Sequence, residues 1–114
     1  MNTTTLSALA EPNRLHIVEL LRDGPRPVGE IADRLQLHQP QVSKHLRVLS
    51  EAGLVEVKPV AQMRIYRLRP QPFNELDDWL KSFRRAWEDR FDQLDQYLQE
   101  LQRQSADPAP SQEP

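Results

Sequence analysis

Residues 28–57, VGEIADRLQLHQPQVSKHLRVLSEAGLVEV, constrain the fold more than any other stretch of the chain. Val28, Ile31, Ala32 and Leu35 recur on one side of a helical wheel, so the spacing predicts a helix over 28–35. Residues 36–39 turn the chain, with Leu37 as the plug between two helices. Pro40 then opens a second helix, because proline in the first turn gives up only an N–H that has no helical partner there. Val42, Leu46 and Leu49, with Val48 beside them, supply its apolar side, and Gly53 supplies its C-terminal stop. Two helices joined by so tight a turn form a helix-turn-helix, the motif whose second helix enters the major groove of DNA. The side chains left over on this second helix, at about 39–52, are Gln39, Gln41, Ser43, Lys44, His45 and Arg47. They are donors suited to base edges and phosphates. The face over 39–47 lacks the Glu–Lys pairs of a helix surface kept for stability.

On either side of this motif the apolar spacing predicts a mainly α chain with a small β-hairpin. Residues 3–10 read as a short helix with Leu6 and Leu9 on one side. Pro12 begins another helix, with Leu15, Val18 and Leu21 at helical spacing and Ile17 and Leu20 widening the face. Gly24, Pro25 and Pro27 stop it. Residues 54–58 and 63–69 alternate and read as two strands joined at PVAQ. Tyr66 and Leu68 are expected to face the core with Val55 and Val57, and Lys58 and Arg64 to face out. This hairpin is the wing of a winged helix-turn-helix, basic enough to touch DNA backbone rather than to read bases.

The segment 72–103 carries a second strong pattern. Apolar residues fall at Phe73, Leu76, Leu80, Phe83, Trp87, Phe91, Leu94, Leu98 and Leu101. That is one long helix with a nearly heptad stripe. A domain of this size cannot cover such a stripe along its full length, and the simplest partner is a second copy of the same helix. Residues 1–103 are therefore expected to form one DNA-binding and dimerisation domain, and the Pro-rich polar residues 104–114 a disordered tail.

The chain has 15 Lys/Arg and 17 Asp/Glu, a net charge of −2 that conceals a division. Residues 12–69 hold ten Lys/Arg and six Asp/Glu, a net +4, whereas residues 70–114 hold five and ten, a net −5. A basic front half can meet phosphate while the acidic rear stays in solvent. With no cysteine, thiolate metal sites, disulfides and thiol redox chemistry are excluded. No apolar run approaches the ~20 residues of a membrane span, and the N-terminus does not read as a secretory signal. A cytoplasmic location is expected. No serine sits in a nucleophile elbow, and the three glycines form no phosphate loop, so catalysis is not expected.

The stretches ALAEPNRLHIVELL, LHQPQVSKHLRVLSEAGLV and IYRL together resemble the winged-helix repressors of the ArsR/SmtB family, almost without gaps over residues 6–69. The resemblance implies a homodimer, joined through its first and last helices, that represses by sitting on an inverted repeat. It implies DNA contacts at Gln39, Gln41, Ser43, Lys44, His45 and Arg47, with Arg64 in the wing. It sets the dimer interface at Leu6 and Leu9 and at the stripe residues Phe73, Leu76, Leu80, Phe83, Trp87, Phe91, Leu94 and Leu98. Two departures stand out: His38 replaces the serine that caps the second motif helix in many relatives, and the wing lacks their Gly–Arg cluster. The family's thiolate metal ligands correspond to Pro27 and Gly29 here, and the last helix carries aspartates but no histidine, so no metal and no cofactor are expected. The chain more closely resembles the metal-free branch, some of whose members respond to an organic ligand. Trp79, Phe83 and Trp87 are read as dimer packing rather than as such a pocket. The competing readings are a protein-binding adaptor that uses the same fold without DNA, and a DNA-binding activator.

Overall fold

The computed structural model describes residues 2–106. In chain order the elements are α1 (Thr3–Leu9), α2 (Pro12–Leu21), β1 (Arg26–Pro27), α3 (Val28–Leu35), α4 (Gln39–Glu51), β2 (Val55–Val60), β3 (Met63–Leu68) and α5 (Pro70–Ala106). The contacts divide the chain into two compact units, one ending at Asp77 and one starting at Asp78.

The first unit is built on a core to which three helices each contribute a stripe. Ile17, Val18 and Leu21 of α2, Ile31 and Ala32 of α3, and Val42, Leu46 and Leu49 of α4 are buried, with Ala8, Leu54 and Val55 completing the cluster. A fully buried Leu or Ile contributes about 1.5–3 kcal/mol. Six of these side chains, Ile17, Ile31, Val42, Leu46, Leu49 and Leu54, are completely enclosed.

Several helix ends have an identifiable chemical cause. Asn2 Oδ1 accepts from the Thr4 N–H at 2.8 Å and caps α1. Glu11 does the same for α2, accepting from the Arg14 N–H at 2.8 Å. Arg14 reaches back, and its Nε donates to the Ala8 carbonyl at 2.7 Å, which ties the end of α1 to the start of α2. At the end of α4, Gly53 takes a φ of 78° and two bonds close the helix. The Leu54 N–H donates to Leu49 O at 2.9 Å and the Gly53 N–H to Ser50 O at 3.0 Å. The end of α3 has the same pair of bonds, from Leu37 to Ala32 and from Gln36 to Asp33. There the left-handed position is held by Gln36, with φ 55°.

The sheet has three antiparallel strands in the order β1-β3-β2. The hairpin pairs Val55 with Leu68, Val57 with Tyr66 and Val60 with Met63. Its turn is therefore only Ala61 and Gln62, shorter than the PVAQ loop expected from the sequence. Ala61 adopts φ 53° to make it. The two-residue strand β1, which pairs Arg26 with Tyr66 and Pro27 with Ile65, has no counterpart in the sequence-based reading. A segment of two residues has no alternation to detect, and Pro27 occupies the sheet edge, where its missing N–H does no harm.

Three core expectations, at Leu15, Val48 and Val57, are corrected. Leu15 is 42% exposed and Val48 39%. On a helix with about 100° per residue, each lies more than ~100° round from the centre of its helix's buried stripe. In α1 the residues turned to the core are Thr5 and Ala8; Leu6, expected at the dimer interface rather than in the core, is exposed, and Leu9 is partly covered. Val57 is on the core side of the hairpin but is 38% exposed, because it lies past the edge of the core.

The helix α5 starts two residues earlier than expected and runs to Ala106, so residues 104–106 are helical rather than part of a tail. The rest of the expected tail lies outside the described residues. With 37 residues, α5 is about 55 Å long. Phe73 packs against the first unit's core. Beyond Asp77 the stripe is open: Leu80, Phe83, Trp87, Phe91, Leu94, Leu98 and Leu101 are all exposed.

Gln36 gives a direct check on the α3 end. A side chain in the left-handed region costs about 1–2 kcal/mol that glycine does not incur, offset in part by the greater chain entropy of glycine. Gln36→Gly should therefore raise stability by about 0.5–1 kcal/mol, read as a higher midpoint in urea with an unchanged slope.

Candidate nucleic-acid interface

The helix α4 is held by its buried side, which fixes what its other sides present. Val42, Leu46 and Leu49 have no exposed surface. Rotation about the helix axis is thereby blocked, and Gln39, Gln41, Ser43, Lys44 and Arg47 remain exposed. Pro40 sits in the first turn, as the sequence predicts. Gln41 also acts locally, since its Oε1 accepts from the His38 N–H at 3.1 Å. This supplies at the helix start one of the bonds that a capping side chain gives. The carboxamide NH2 of Gln41 still offers donors.

His45 departs from expectation. Its side chain is only 21% exposed, and Nδ1 lies 3.7 Å from Glu11 Oε2, so it turns toward the start of α2 rather than outward. Helical geometry explains this, since residue 45 falls at the margin of the stripe formed by 42, 46 and 49. Glu11 is the residue the sequence reading missed; its role as the N-cap of α2 was legible in EPNR, but its contact with α4 was not. Arg47 Nε pairs with Glu51 Oε1 at 3.3 Å, an i,i+4 ion pair that reaches beyond the 39–47 face. Both partners are largely exposed, and such a pair contributes only about 0.3–0.5 kcal/mol, so it is readily exchanged for a phosphate.

In the wing, Lys58 and Arg64 are both exposed, but on opposite faces. The register puts Arg64 on the face of Tyr66 and Leu68, opposite Pro59, and Lys58 on the face of Ile65. Arg64 is exposed because it stands near the tip, not because it points away from the core side. Arg67 is neutralised by its cross-strand neighbour Glu56. Among the described residues, Lys44, Lys58 and Arg64 make no ion pair. Among the exposed cations of the motif and wing, Lys44, Lys58 and Arg64 are thus without an ion pair among the described residues, and Arg47 is tied only to an exposed carboxylate. Among the described residues, no group of three or more His, Cys, Asp or Glu is placed to hold a metal ion.

A family profile described as a helix-turn-helix domain matches residues 9–58. Among curated proteins, the chain is 48% identical over 63 residues to the HTH-type transcriptional regulator Rv2034 of Mycobacterium tuberculosis. That match covers 55% of this chain and 59% of the relative. A crystal structure of a possible transcriptional regulator for arsenical resistance superposes with a TM-score of 0.62 at 40% identity, covering 68% of this chain and 81% of that one. The chain belongs to the ArsR/SmtB family. The solution structure of the homodimeric winged helix-turn-helix DNA-binding domain of Mb0332 from Mycobacterium bovis, a possible ArsR-family transcriptional regulator, is also similar. Its TM-score is 0.61 at 28% identity, over 71% of this chain and 75% of that one. The fold is the winged helix-turn-helix expected from the sequence, and the family is one of transcriptional regulators rather than enzymes.

The two roles of Gln41 can be separated without DNA. Gln41→Ala should lower stability by about 0.5–2 kcal/mol through loss of the bond at the start of α4. Ser43→Ala, whose hydroxyl makes no such bond, should stay within about 0.5 kcal/mol of the parent. Thermal denaturation of the two variants without DNA reads the difference.

Proposed function

We propose that this chain is a homodimeric transcriptional repressor that binds an inverted-repeat operator with α4 in the major groove. The observation that carries this reading is the exposed polar and basic side of α4, fixed in rotation by a fully enclosed apolar side. Gln39, Gln41 and Ser43 then face base edges, Lys44 and Arg47 meet phosphate or guanine, and Arg64 of the wing meets the backbone. His45 is left out of the contact set and instead steadies α4 against α2. The relatives named as regulators, and the Mb0332 domain named as homodimeric and DNA-binding, support the same reading. Repression follows from occupancy: a dimer seated on promoter DNA excludes other proteins from that segment. No helix among the described residues is long and apolar enough to cross a membrane. A DNA partner fits the cytoplasm expected from the sequence.

The dimer rests on α5. Its stripe of large apolar side chains beyond Asp77 has no cover within the second unit, and contiguous apolar surface of this kind marks an interface. Trp79 and Phe83 meet edge to face with centroids 4.9 Å apart, and Trp87 and Phe91 lie 5.9 Å apart. Rings already arranged in this way add about 0.5–1.5 kcal/mol per pair beyond area alone. They are assigned to dimer packing rather than to a small organic ligand.

Fluorescence anisotropy with a duplex taken from upstream of its own gene, against a scrambled duplex, tests DNA binding. Tight binding that needs both half-sites and weakens with salt is expected; no binding to any duplex overturns the reading in favour of an adaptor. Lys44→Ala should weaken specific and scrambled DNA by the same factor and reduce the salt slope by about one. Ser43→Ala or Gln39→Ala should instead relax the preference at one base pair, by ~1–3 kcal/mol for a lost paired contact. A promoter fusion gives the sign of regulation, with rising expression on deletion expected and falling expression assigning an activator. Leu94→Asp should halve the mass in sedimentation and remove tight operator binding, because one half-site alone is weak.

A further inference from the structure

The helix α1, the start of α2 and the last turn of α4 border a cleft of about 430 Å³, within the roughly 300–1,000 Å³ usual for small-molecule sites. Its walls are of three kinds. Val48 and Ala52 of α4 form an apolar side, Thr4 and Ser7 of α1 carry hydroxyls, and Arg14 and Glu51 supply one charge of each sign. All of these residues belong to the first unit.

Arg14 is the least satisfied of them. It is half-buried, and its guanidinium is held only by backbone carbonyls, Nε by Ala8 O at 2.7 Å and Nη2 by Ser7 O at 3.4 Å. It makes no ion pair among the described residues. Glu11, close in sequence, is engaged elsewhere, accepting from the Arg14 N–H at 2.8 Å and lying 3.7 Å from His45 Nδ1. Nη1 and part of Nη2 are left to meet an anion, and a half-buried cation without a counter-charge carries a desolvation cost that an anion offsets. A carboxylate alone does not suit the cleft, because Glu51 lines it too and repels a second negative charge. The two charges call for a ligand bearing both signs, and the apolar wall for a hydrocarbon body.

We propose that this cleft binds a free α-amino acid with an aliphatic side chain, its carboxylate on Arg14, its ammonium on Glu51 and its side chain against Val48 and Ala52. The site lies clear of the surface of α1 expected to meet a second copy. Thr4 and Ser7 stand about 100–160° round that helix from Leu6 and Leu9, so a partner docked on the leucines meets another side of α1.

Glu51 ties the cleft to the DNA-binding side of α4. The carboxylate that lines the cleft also accepts from Arg47 Nε at 3.3 Å. A ligand ammonium seated on Glu51 competes with Arg47 and releases its guanidinium toward phosphate. Resting on the operator-binding reading above, the ligand is a corepressor, and by reciprocity DNA tightens the ligand by the same factor. Release of an exposed i,i+4 pair is a small change, so the gain in operator affinity is about twofold per subunit.

Isothermal titration of the full chain without DNA tests the site, with L-leucine, L-isoleucine and L-valine as probes. Saturable binding of at least one is expected. 4-Methylpentanoate lacks the ammonium of leucine and 3-methylbutylamine lacks its carboxylate, and each should bind at least about tenfold more weakly than L-leucine. Glu51→Gln should weaken L-leucine by about tenfold yet strengthen 4-methylpentanoate, a reversal that loss of the fold would not produce. No saturable binding of the three amino acids overturns the site. So does equal binding of L-leucine and 4-methylpentanoate, or a Glu51→Gln variant that binds L-leucine as the parent does. Fluorescence anisotropy with the operator then reads the coupling: saturating ligand should tighten the parent and leave Glu51→Gln unmoved. Binding without any change in operator affinity overturns the corepressor role, whereas a parent that binds no duplex removes the function proposed above and leaves the calorimetry to judge the site.

Discussion

The enclosure of Val42, Leu46 and Leu49 is the constraint on which the rest depends. A helix can present a chemical surface reliably only if it cannot roll, and these three residues lock α4 onto Ile17, Ile31 and Leu54. Removing any of them would leave a cavity costing about 2–5 kcal/mol for a Leu, and it would also free the orientation of every side chain on the far side. The ends of α4 are fixed as firmly as its middle, by the Gln41 bond at one and the Gly53 turn at the other. The interface is thus a consequence of packing on the opposite side of the same helix.

Much of this is legible in the sequence because it depends on local period. The stripe of α3, the proline entry and glycine exit of α4, and the long stripe of α5 each follow from spacing within one element. What spacing does not reveal depends on neighbours distant in sequence. The Glu11 contact that draws in His45 spans 34 positions. The β1 strand exists only because β3 arrives beside it. Leu15 and Val48 have the right type and an approximate period, yet stand at the wrong angle once the centre of each buried face is known. Arg64 lies on the face opposite to the one expected, although alternation along the strand assigns it correctly; its basic character suggested a side chain pointing away from the core. The extension of α5 to Ala106 passes through polar residues that carry no stripe and therefore no signal.

Charge and apolar surface are segregated along the chain in a way that suits two separate functions. Weakly partnered cations are present on α4 and the wing, whereas the open apolar surface sits on α5, in the part of the chain with net acid. Net acid repels phosphate, so the apolar stripe is kept from competing for the nucleic acid that the basic half attracts. In the function proposed above, self-association and DNA association use different surfaces and need not exclude each other.

Glu11 has a wider meaning than its size suggests. One carboxylate completes the first turn of α2 and also leans on a histidine of α4, while the adjoining Arg14 clasps the last carbonyls of α1. A disturbance that shifts the opening helix has a short mechanical route, through side chains alone, to the reading helix. Two side chains at the start of α2 thus join three helices, α1, α2 and α4, at one corner of the fold.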